Sequence, residues 1–65
     1  MNNPKHQKAF DEGYERMIGQ IEHYGFDAAL ANWRKAHPKG HVFHNMFTYN
    51  FAKGGLHALA EKKPA

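Results

Sequence analysis

The stretch that decides the fold is His41 to Ala60, HVFHNMFTYNFAKGGLHALA. It holds Phe43, Phe47, Tyr49 and Phe51, four of the nine aromatic residues, with a Gly54-Gly55 pair and no acidic side chain. By weight of rings it is the expected core, onto which the rest of the chain must fold. As a helix, it places Phe43, Phe47, Phe51, Gly54, Gly55 and Ala58 on one face, with Thr48, Ala52, Leu56 and Leu59 on a second, weaker apolar face. The glycines then either admit another backbone or kink the helix. As a strand, Phe43, Phe47, Tyr49 and Phe51 alternate onto one side, and their β propensity is high. A strand would find no partner in this chain and would need pairing between chains. The helix is the preferred reading, starting near His41 or at an Asn45 cap; the alternative is a strand over 41–52 paired in an oligomer.

The segment before it is regular. Asn3-Pro4 suits a helix start, since Pro loses nothing at the first helical position. Phe10, Tyr14, Met17, Ile18, Ile21 and Tyr24 then fall within a stripe about 120° wide, an amphipathic helix signature. Ala9, Gly13 and Gln20 border that stripe as a lane that could admit a neighbouring helix closely. Gly25 has the freedom to close the helix, and Asp27 reads as the N-cap of a second helix from Ala28 to Ala36. Leu30 and Trp33 share one face of it. His37 precedes Pro38, which ends the helix, and His-Pro-Lys-Gly reads as a turn. The expected architecture is therefore all-α, one compact three-helix domain over 1–65 with helices at about 4–24, 28–36 and 43–61.

A chain of 65 residues gives a small core, and without cysteine it can use neither disulfides nor thiolate metal sites. Dense packing, a homodimer or docking on a larger partner are the remaining ways to stabilise it. The opening MNNPKHQKAF has no apolar h-region and no segment approaches the length of a membrane span, so a cytoplasmic protein without membrane contact is expected.

The formal charge of +3 is unevenly spread. Residues 10–27 carry Asp11, Glu12, Glu15, Glu22 and Asp27 against Arg16, a net of −4. Residues 28–60 carry Arg34, Lys35, Lys39 and Lys53 without an acid, a net of +4, and four histidines besides. Such a half suits an acidic protein surface or nucleic acid.

Chemistry is sparse. The absence of serine and cysteine removes the commonest nucleophiles, and Thr48 lies among aromatics. Gly54-Gly55 does not follow a strand, so it is no phosphate-binding signature. His37, His41 and His44 are spaced closely enough to bring imidazoles together, yet no carboxylate nearby completes a zinc set. They read as a reserve of positive charge that grows as pH falls. No cofactor, metal or enzymatic activity is expected.

Trp33, Arg34, Lys35, His37, Lys39 and His41 mix cations with a ring, as single-strand and RNA binders do. The plainer reading makes Trp33 core and the cations a solvated rim. Ala9-Phe10-x-x-Gly13-Tyr14 and Phe51-x-x-Gly54-Gly55-x-x-Ala58, fourteen residues in all, resemble the two helical segments of the ribosome modulation factor family. The chain lacks that family's Cys-Pro pair, carries Gly55 at its second Trp position and has a longer spacer. The resemblance implies a small helical protein in contact with ribosomal RNA.

Taken together, the residues lead to a non-enzymatic regulator that docks on a larger protein or nucleoprotein complex as inhibitor or modulator. Direct RNA or DNA binding is the alternative. The residues expected at the partner are Trp33, Arg34, Lys35, His37, Lys39, His41, His44, Tyr49 and Lys53.

Overall fold

The computed structural model describes residues 4–38 and 45–64, and these form three helices: α1 (Pro4–Tyr24), α2 (Phe26–Ala36) and α3 (Met46–Lys62). The all-α expectation holds. Residues 46–52 are helical, so the strand alternative fails there; 41–44 lie outside the described residues.

One residue makes the turn between α1 and α2. Gly25 has φ of 94°, a conformation L side chains rarely adopt. Its N–H donates to the Ile21 carbonyl at 2.9 Å, closing α1, and its own carbonyl accepts from the Ala29 N–H at 3.1 Å, opening α2. Helix α2 therefore starts at Phe26 rather than Ala28. Asp27 is not its N-cap but an acid within the first turn, where negative charge favours the helix dipole. At the other end the His37 N–H donates to the Trp33 carbonyl at 2.9 Å, and Pro38 prevents continuation.

Helix α3 starts at an Asn45 cap. Asn45 is extended, with φ −158° and ψ 176°, and its side chain accepts from the Thr48 N–H at 2.9 Å. Thr48 Oγ1 in turn accepts from the Asn45 N–H at 3.4 Å, completing a capping box. The predicted start at 43 is thus corrected to Met46, with 43 and 44 outside the described residues. The helix passes through Gly54-Gly55 without interruption.

Those glycines serve the approach of helices. A Cβ on Gly54 would collide with the Phe10 carbonyl, coming within 2.9 Å of its carbon. A Cβ on Gly13 would collide in the same way with the Phe51 carbonyl, within 2.8 Å of its carbon. Backbone meets backbone at this seam. Ala9 and Ala58 are fully buried, and Met17, Ala52 and Leu59 nearly so.

The core thus follows the small-residue lane rather than the aromatic weight. Met17 of the predicted α1 stripe is buried, whereas Phe10, Tyr14, Ile18 and Ile21 are half-buried and Tyr24 is 63% exposed. In α3, Phe47 is 48% exposed, against the expectation that it anchors the core. The reason is distance: helices whose backbones touch leave no room between them for a ring. Asn50, a polar residue buried within α3, is satisfied by donating to the Met46 carbonyl at 2.7 Å. Among the described residues no helix is long and apolar enough to cross a membrane.

Candidate functional site

The inner face of α3 is filled by α1 and α2, so the residues left to meet a partner lie elsewhere on the helix. Met46 is 51% exposed, Tyr49 37% and Leu56 40%, a substantial apolar surface for so small a domain. Two cations flank rings. Lys53 Nζ lies 5.7 Å from the centre of the Tyr49 ring, and the Arg16 guanidinium lies 5.8 Å from that of Phe51. Phe51 stacks on Phe47 at 6.2 Å between centroids. Lysine and arginine over aromatic faces gain a modest electrostatic attraction while keeping their charge in water.

The nine residues expected at a partner fall into separate groups. Tyr49 and Lys53 sit together on α3, both exposed. Arg34 and Lys35 are exposed in the last turn of α2, where cations complement the helix dipole. Trp33 is half-buried: its indole N–H donates to the Ala52 carbonyl at 3.0 Å, and a Cβ on Gly55 would lie 3.2 Å from its Cδ1. It ties α2 to α3. His37 is half-buried with its ring 5.0 Å from that of Trp33. Lys39, His41 and His44 lie outside the described residues. Met46, Phe47, Leu56 and Arg16 are not among the residues expected at a partner from the sequence, where Phe47 and Leu56 fall on the two apolar faces of the helical reading and Met46 on neither.

A cleft of about 130 Å³ opens where the three helices meet. Its floor is apolar, from Gly13, Met17 and Gly55, and Arg16, Gln20 and Asn32 are among the polar groups around it. Among the described residues that line it none is a carboxylate, serine or threonine. Among the described residues no three His, Asp or Glu side chains gather where they could hold a metal ion.

A polar brace links α1 to the end of α3. The Tyr14 hydroxyl donates to Glu61 Oε1 at 2.7 Å, and His57 Nε2 lies 2.7 Å from Glu61 Oε2. The His57 ring also rests 5.6 Å from Phe10 and 5.8 Å from Tyr14. The Tyr14 hydrogen bond, with His57 beside it, holds the Glu61 carboxyl below its ordinary range. The same bond, made by the neutral phenol to a carboxylate, raises Tyr14 above its usual value.

No family model, curated protein or solved structure matches the chain.

Proposed function

We propose that this protein is a non-enzymatic docking module that binds a larger protein or nucleoprotein complex and acts on it as an inhibitor or modulator. One observation carries this reading. Met46, Tyr49 and Leu56 stand 37–51% exposed on the outer side of a helix whose inner side is filled by packing, and Phe47, near the start of that inner side, is itself 48% exposed. Aromatic and large apolar side chains set among cations are the residue types that dominate binding energy when a partner buries them. Arg34, Lys35 and Lys53, all exposed, would give the approach its preference for an acidic surface.

Direct binding to RNA or DNA is the second reading, favoured by the two cation–ring pairs. A nucleobase could stack on Phe47 or Tyr49 while Arg16 or Lys53 met the phosphate.

Affinity capture from the extract of the source cell, with and without nuclease, tests both. The docking reading expects a protein recovered in either case and lost with Phe47→Ala plus Leu56→Ala. Capture that disappears on nuclease treatment transfers the case to nucleic acid. Capture that survives the double substitution removes α3 as the contact surface.

A further inference from the structure

Five exposed residues of α3 recur at alternating steps of three and four: Met46, Tyr49, Lys53, Leu56 and Ala60. That is the spacing of a coiled-coil seam, kept over a rise of about 21 Å. It lies on the outside of the domain, while the seam with α1 runs through Gly54 and Ala58 on another face of the same helix. A shallow, open depression bounded by Phe10, Lys53, Leu56, His57 and Ala60 takes in three residues of the stripe.

The charge at its centre says what can cover it. Lys53 is the middle member of the five, and no acid lies on the stripe. Glu61, the acid next to Ala60 in sequence, is engaged by both Tyr14 and His57. A second copy of the chain suits this surface poorly. Parallel pairing sets Lys53 against Lys53, and antiparallel pairing centred on the stripe brings the same two ammonium groups together. A single lysine in an apolar seam lowers stability unless the facing helix supplies an acid, and it thereby selects register and partner.

We infer that this stripe is the docking surface for an amphipathic helix of a different protein, one presenting apolar residues at heptad spacing with a glutamate or aspartate facing Lys53. The inference rests on the docking reading above and names its partner class. Tyr49 and Leu56 would enter the facing helix as knobs, and Lys53 would exchange its contact with the Tyr49 ring for a carboxylate. The lysine then acts as the specificity element and the apolar residues supply the affinity.

Two designed helical peptides of about 21 residues, both with leucine at the seam positions, provide the probe. One carries glutamate opposite Lys53 and the other lysine. Fluorescence anisotropy on the full chain is expected to show binding of the glutamate peptide and roughly tenfold weaker binding of the lysine peptide. Lys53→Glu, an exposed substitution, should invert that preference. Lys53→Leu should increase self-association by sedimentation, since it removes the like charge. Equal binding of the two peptides, no binding of either, or no inversion by Lys53→Glu overturns the inference. If neither peptide binds while capture still fails with Phe47→Ala plus Leu56→Ala, the docking reading stands and only the helical partner falls.

Discussion

Helix α3 has two working faces built from different residue sizes. The face toward α1 is made of Gly54 and Ala58 and is buried, with backbone against backbone at Gly13 and Gly54. The outer face carries Met46, Tyr49 and Leu56 and stays in water. Apolar area alone would have assigned them the other way. Burial here is decided by how closely two helices can approach, and a glycine pair permits an approach no ring could share. Loss of contact on one side of a packed interface is costly, whereas large exposed side chains lose little by remaining in solvent until a partner arrives.

The sharpest way to break this comparison is to change one residue on each face. Gly54→Ala adds one methyl group where the Phe10 carbonyl stands, and a carbonyl in a helix cannot rotate aside. The helices must separate along the seam. A cost of about 3 kcal/mol or more is expected, near the whole stability of a domain this size. Gly13→Ala should behave alike. Met46→Ala on the outer face, a larger change in volume, should cost within about 0.5 kcal/mol, because that side chain is half in water. Thermal melts followed by circular dichroism compare them directly. A Gly54→Ala protein melting within a few degrees of the wild type would mean the seam is not the core.

Gly19 sharpens the same point with the opposite sign. It lies inside α1, yet nothing stands within 4 Å of an added Cβ. Alanine there should stabilise by about 0.5–1 kcal/mol, through helix propensity and reduced freedom of the unfolded chain. That raises the melting temperature by roughly 2–8 °C for a domain of this length. A loss at Gly19 would show that glycine matters in α1 for some reason other than the crossing.

The sequence makes part of this readable. Helix α1 is legible at both ends because Pro4 suits the first helical position and Gly25 is free to adopt the positive φ that ends a helix. The lane of Ala9 and Gly13 is visible as spacing, and so is the chance that Gly54-Gly55 admits a backbone. What misleads is area: Phe47 and Tyr24 look like core because rings usually are, and nothing local reports how near α1 comes to α3. Asp27 is mistaken for a cap because Gly25 can end one helix and begin the next with its backbone alone. The Asn45–Thr48 box is hard to see because threonine replaces the usual glutamate or glutamine at its third position. At the candidate site, Tyr49 and Lys53 are legible as an aromatic beside a cation. Met46 and Leu56 are not, since their step of three and four along an outer face has meaning only once the inner face is known to be filled by Gly54, Gly55 and Ala58.

The smallest expected effect lies outside the seam, in the brace that Tyr14 and Glu61 make between α1 and α3. Glu61 has its folded value lowered, so its contribution is present above the ordinary carboxylate value of about 4.3 and is lost as pH falls through the folded one. Tyr14 has its folded value raised, so its contribution is complete below the ordinary phenol value of about 10 and is lost as pH rises through the folded one. One hydrogen bond thus gives two edges with a plateau between them. Because other carboxylates also titrate in acid, the informative quantity is the melting temperature of the wild type minus that of Tyr14→Phe at each pH. That difference should be level from about pH 5 to 9 and shrink at both ends. Both groups meet water, which screens the interaction and keeps the amplitude small beside Gly54→Ala. A difference that stays flat through both edges would show that the bond does not help hold α3 on α1.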